Sequence, residues 1–210
     1  MNLSKKEIIE WYDEYNLKNG NENKYENEII TNIRIGGITT WEDLKSLLFR
    51  KYGILYWKGA LRTKLYYICL DSDTSKWENL FEIIKSSKDE PRNTVKKIVD
   101  FSKKNMSYNG KKGGISYPVA STLVYFFSKG ECPVIDWRAI SALKDNGYGG
   151  RLKNVYTDDG WERYFDICTD IVKDMGIEKR GGDTPLRVLD KALWEYPDLN
   201  KAERKKEVCC

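Results

Sequence analysis

Between Lys111 and Leu143 the chain reads KKGGISYPVASTLVYFFSKGECPVIDWRAISAL, which sets a glycine pair, an apolar helix and a lone carboxylate close together. The loop at Gly113, Gly114, Ile115 and Ser116 can bring backbone N–H groups against a phosphate, because glycine has no side chain to hold a ligand away and tolerates positive φ. A helix starting near Tyr117 and Pro118 adds unsatisfied N–H groups of its own, with the proline where a first-turn residue loses nothing. Asp136 stands directly before a second helix. N-cap preference alone explains an aspartate there, and a capping carboxylate can still face a cleft. The chain has no histidine, so triads and zinc sites that depend on it are excluded, and acid-base work must fall to Asp, Glu, Lys, Tyr or Cys.

This segment resembles the hairpin and aspartate of the helix-hairpin-helix DNA glycosylase superfamily, the group containing endonuclease III and the 8-oxoguanine glycosylases. Members carry a hairpin of the form L-P-G-V-G-x-K-x-A, then a helix, a short loop and an essential Asp. Here Gly114-Ile115-Ser116 stands at the G-V-G, Ala120 at the hairpin alanine and Asp136 at the aspartate. Pro118 falls where bifunctional members have a Schiff-base lysine, and the 18 residues from Pro118 to Asp136 match the family separation. Three departures from the pattern stand out. Ser116 replaces the second hairpin glycine, Pro118 replaces the lysine, and Trp137-Arg138 follows the Asp where many members have Thr-His or Val-His. Trp57-Lys58-Gly59 and the run from Leu186 to Trp194 also resemble segments of small proteins with an 8-oxoguanine-glycosylase-like fold.

The resemblance implies an all-α fold of two helical lobes with a cleft between them, and DNA as the partner. It implies hydrolysis of an N-glycosidic bond, in which a nearby anion stabilises the oxocarbenium character of the sugar and can orient water. Asp136 is the implied catalytic residue. Without the lysine the reaction is monofunctional: water attacks, a damaged or modified base leaves, and an abasic site remains with no strand cleavage. The DNA backbone would lie on Lys112, Gly113, Gly114, Ser116 and Arg138. The target base must leave the stack, and Trp57, Tyr117 and Trp137 are the aromatic candidates for its pocket. No cofactor is implied apart from a monovalent cation that the hairpin could hold. The alternative is a helix-hairpin-helix DNA-binding protein that has lost catalysis; action on a nucleoside or RNA is a third reading. Repair and defence against foreign DNA are equally open as settings.

Composition bounds these readings. The 210 residues hold 36 Lys and Arg against 32 Asp and Glu, a net charge of +4 that permits a nucleic-acid partner without requiring one. Arg92, Lys96, Lys97, Lys103, Lys104, Lys111 and Lys112 cluster before and within the hairpin with Asp100 opposing them, as a phosphate-facing stripe or a solvated helix face would. The five cysteines, Cys69, Cys132, Cys168, Cys209 and Cys210, lack the tight C-terminal run that holds an iron-sulfur cluster in some endonuclease III relatives, so no cluster is expected. Unpaired thiols, with no signal peptide and no long apolar span, suggest a cytoplasmic setting.

Caps and apolar spacing predict one domain over 1–210 of eight to ten helices. Ser4 to Glu7 forms a capping box ahead of Ile8, Ile9, Trp11 and Tyr12. Thr39 to Glu42 repeats the device before Leu44, Leu47 and Leu48, and Ser75 with Glu78 opens a run to Ile84. Further helices are expected over Thr94 to Lys103, Trp161 to Met175 with Gly176 as the stop, and Leu186 to Tyr196 behind Thr184-Pro185.

Overall fold

The structure is a computed structural model, and it describes residues 3–46, 73–108, 111–112 and 114–197. It is predominantly helical. Nine α-helices run in the order α1 (Lys5–Lys18), α2 (Gly20–Arg34), α3 (Trp41–Lys45), α4 (Thr74–Lys85), α5 (Pro91–Asn105), α6 (Tyr117–Phe127), α7 (Trp137–Leu143), α8 (Asp158–Asp174) and α9 (Pro185–Glu195) among the described residues. Between α5 and α6 lies a small antiparallel hairpin, β1 (Ser107–Tyr108) with β2 (Lys111–Lys112), in which Ser107 pairs with Lys112 and Tyr108 with Lys111.

The chain divides into two compact units, one formed by 1–20 together with 130–210, the other by 21–129. In the first, α9 packs against α1, α7 and α8. Val188, Leu189, Ala192 and Leu193 of α9 are buried, as are Ile8 of α1, Ile140 and Leu143 of α7, and Trp161, Ile167 and Ile171 of α8, the helices that pack there. Polar groups inside this core are paired. Lys191, only 4% exposed, donates to Asp183 Oδ2 at 2.6 Å, and the Tyr12 hydroxyl donates to the same oxygen at 2.9 Å. Burial, and then the charge of Asp183, push the Tyr12 phenol up to about 12, so it stays a neutral donor. Outside the core, Arg180 grips Asp13 with two N–H groups, at 2.9 and 2.8 Å, fixing the 180–183 turn to α1.

In the second unit, α4, α5 and α6 pack on one another around Leu80, Phe81, Ile84, Val95, Ile98, Leu123 and Phe126. Trp41 of α3 stacks on Trp77 of α4 with ring centroids 4.2 Å apart. The Glu26 carboxylate of α2, almost wholly buried, accepts from the Tyr125 hydroxyl of α6.

Several helix starts differ from expectation by a few residues. The box at Thr40 closes on Asp43 rather than Glu42, because the Asp43 carboxylate reaches the Thr40 N–H at 2.9 Å. Asp73 caps α4 through the Ser75 N–H, two residues ahead of the expected serine. Helix α5 begins at Pro91, three residues before Thr94, since proline at the first turn is already set for helical φ. Ser4 and Thr184 cap α1 and α9 as the sequence predicts, and Gly176, at φ +57°, turns the chain after α8. No helix among the described residues is long and apolar enough to cross a membrane.

Candidate functional site

Asp136 adopts extended backbone (φ −129°, ψ 151°) and caps α7, its Oδ1 accepting the Arg138 backbone N–H at 2.8 Å. The carboxyl is half-buried. Burial raises its pKa above the ordinary 3.8, while the Arg138 backbone N–H, the Arg138 charge and the Trp137 N–H pull back toward the carboxylate. No described side chain donates a hydrogen bond to it. It is therefore an acid that gives up its proton reluctantly yet sits among groups that welcome the anion, which suits a carboxylate that must meet a developing cation.

The residues around it restrict what else can react. Cys132 and Cys168 are free, buried thiols, each pushed up first by burial and next by the Asp190 carboxylate. They stay protonated at neutral pH and are poor nucleophiles. Tyr164 is likewise raised by burial, and its hydroxyl donates to the Val134 carbonyl at 3.0 Å. Asp190, 6% exposed, pairs with the Arg187 guanidinium one turn earlier on α9. Among the described residues Asp136 makes no ion-pair contact, whereas Asp190 is engaged by Arg187.

The Arg138 side chain makes no ion-pair contact with Asp136, although its charge acts on that carboxyl. Its guanidinium carbon lies 3.8 Å from the Trp194 ring centroid and 5.4 Å from that of Trp137. Trp194 is in turn met edge-on by Tyr15, at 5.4 Å and 85°. Asp136, Trp137 and Arg138 thus share one half-buried neighbourhood with Trp194, a residue the resemblance includes only as part of a longer segment. Nothing local to residue 138 or 194 signals the stack. The visible cue is limited to an aromatic ending an otherwise apolar helix face.

The hairpin belongs to the second unit. Gly114 needs its missing side chain for packing: a Cβ there would fall 2.7 Å from Lys103 Cγ and 3.0 Å from the Lys103 backbone nitrogen on α5. The next donor is already used, as the buried Ile115 N–H bonds Ser102 Oγ at 2.8 Å. Ser116 occupies the N-cap position of α6, but its side chain makes no cap bond, and its buried Oγ has no hydrogen-bond partner among the described residues. Tyr117 is 2% exposed, so its ring is covered. Lys112 contributes backbone to β2. Gly113 and Trp57 lie outside the described residues, as do Cys69, Cys209 and Cys210.

The basic stripe falls largely on α5. Lys97 and Lys104 are exposed on the side opposite the buried Val95, Ile98 and Val99, Lys103 is exposed beside the hairpin at Gly114, and Arg92 and Lys96 are half-buried. Glu90 partly offsets it, 3.3 Å from the Lys97 ammonium. Among the described residues no group of three or more His, Cys, Asp or Glu side chains is arranged to hold a metal ion.

Ser102 makes the tie between α5 and the hairpin testable. It also donates to the Val99 carbonyl at 3.0 Å, and Ser102→Ala strands the buried Ile115 N–H. The expected cost is about 1–3 kcal/mol in urea unfolding. An unchanged midpoint would mean that the hairpin amide finds water instead.

No protein-family model, no curated protein and no solved structure matches this chain.

Proposed function

We propose that the protein is a monofunctional DNA glycosylase with a helix-hairpin-helix glycosylase-like fold, acting on a damaged or modified base. The observation that carries this reading is Asp136: a half-buried carboxylate raised by desolvation, steadied by backbone N–H groups and an adjacent guanidinium, and free of an ion-pair contact. In the reaction the C1′–N bond of the target nucleotide breaks and its electron pair leaves with the base. The Asp136 carboxylate stabilises the sugar cation and orients a water, whose oxygen bonds to C1′. The water's proton passes to the departing base, giving a free base and an abasic site.

Pro118 supports hydrolysis without lyase chemistry, since it stands in the first turn of α6 where the resembled family uses an amine. Exposed Lys103 and Lys104, at the end of α5, offer charge for the DNA backbone. The orphan Ser116 Oγ is an oxygen that a monovalent cation at the hairpin could use; no step of the reaction passes through such an ion.

The test is mass spectrometry of free bases released from a panel of DNAs that includes damaged oligonucleotides and heavily modified phage DNA. One base released by wild type establishes the activity and names the substrate. Duplex binding without release of any base would favour the non-catalytic binder.

A further inference from the structure

We propose that Arg138 and Trp194 form one anion-binding element, a guanidinium fork held flat on an indole, which takes a phosphodiester of DNA beside Asp136 and makes Trp194 a positioning residue of that site. The inference rests on the glycosylase reading for the identity of its ligand. It starts from the 3.8 Å separation of the Arg138 guanidinium carbon and the Trp194 ring centroid, the distance of a stacked cation. The Trp137 ring, at 5.4 Å, crowds the guanidinium further. Stacking occupies the face of the group and leaves the N–H donors in its edge plane.

Those donors have no hydrogen-bond acceptor among the described residues. The nearest carboxylate in sequence, Asp136, takes the Arg138 backbone N–H instead. Glu195, next to Trp194, is paired with the Lys18 ammonium and does not compete. Arg138 and Trp194 are both half-buried, so part of the pair stays open to solvent. Tyr15, 8% exposed, braces the indole from its edge at 5.4 Å.

A planar fork fixed in advance loses little side-chain freedom when it binds, and its geometry matches two oxygens of a phosphate. Lysine in its place keeps the charge but loses both the fork and the stack. The arrangement therefore distinguishes recognition by geometry from attraction by charge.

The experiment measures binding of a fluorescein-labelled duplex by anisotropy for wild type, Arg138→Lys, Trp194→Leu, Trp194→Phe and the double variant Arg138→Lys with Trp194→Leu, with folding checked by circular dichroism. The expected result is a loss of about fivefold to tenfold for Arg138→Lys and a similar loss for Trp194→Leu. Trp194→Phe should bind nearly as wild type, and the double variant should be no weaker than either single, because both remove one element. Arg138→Lys binding as tightly as wild type overturns the inference, as do additive losses in the double variant. Arg138→Lys alters only the half-buried stack on Trp194 and Trp137, so it decides the matter even if Trp194→Leu fails to fold. Wild type that binds no duplex overturns the glycosylase reading and this inference together, whereas wild type that binds, with Arg138→Lys unchanged, overturns this inference alone.

Discussion

Asp136→Asn lowers base release by about a hundredfold to a thousandfold and leaves duplex affinity close to that of wild type, the effect expected when a charge that acts mainly in the transition state is removed. Asparagine caps helices about as well as aspartate, so α7 keeps its start and the Arg138 N–H keeps an acceptor. What disappears is the anion. Release that persists in this variant would remove Asp136 from the chemistry; lost binding with the fold intact would make it a binding residue.

The same carboxyl gives opposite signs for stability and activity. Burial raises its pKa above 3.8, so the folded chain holds this proton more tightly than the unfolded one. Its contribution to stability is present below the unfolded value and is lost as pH rises through the folded one. Asp136→Asn, which cannot ionise, is therefore expected to be at least as stable as wild type in urea at neutral pH. Base release requires the carboxylate and climbs with pH across that window, its acid limb lying above the ordinary carboxylate value. A limb that stays in place in Asp136→Glu and wild type alike, or a stability profile rising through the window, would assign the titration to another group.

Gly160→Ala is the largest packing defect that a single methyl can introduce at the described glycines. Thr157 caps α8 through the Gly160 N–H at 3.2 Å, and the same turn folds the helix start onto the preceding loop. A Cβ at Gly160 would lie 2.0 Å from the Asn154 carbonyl oxygen and 2.6 Å from the Val155 Cα. Neither atom can step aside as a side chain would. That carbonyl already accepts from the Thr157 N–H and hydroxyl at 3.1 and 2.7 Å, and the loop is further held by Arg163, whose guanidinium donates to the carbonyls of Arg151 and Lys153. The expected loss is about 3 kcal/mol or more, read as a fall in the urea midpoint by tryptophan fluorescence. Exposed Asp159→Ala is the control. If Gly160→Ala matches the control, the helix start is looser than this contact requires.

Helix ends were legible wherever the signal was local. Ser4 and Thr184 cap what they are expected to cap, because side-chain capping is decided within three or four residues. Helix α2 was not, since GNENKYENEIITNIR offers an initial glycine, four asparagines and few apolar residues, and its buried side comes from Glu26, Ile29 and Ile30 meeting distant partners. The β1–β2 hairpin has two residues per strand, too few for alternation to show. At the candidate site the start of α7 at Asp136 is a local feature, whereas the Arg138–Trp194 stack joins positions 56 residues apart that only tertiary packing unites. The missing side chain of Gly114 suggested a ligand's close approach, but the fold gives that space to Lys103.

The interrupted make-up of the first unit governs the order in which the chain can mature during synthesis. Residues 21–129 form a continuous unit, so its helices leave the ribosome with their partners close behind. Helix α1 emerges earlier than any of them, yet the helix it packs against, α9, is translated only after residue 185. A 14-residue helix alone in water is marginal. Its apolar residues, Ile8, Tyr12 and Tyr15, thus stay without these partners until Asp183 and Lys191 arrive to meet Tyr12. The nascent chain carries α1 as an open hydrophobic segment until α9 has been made.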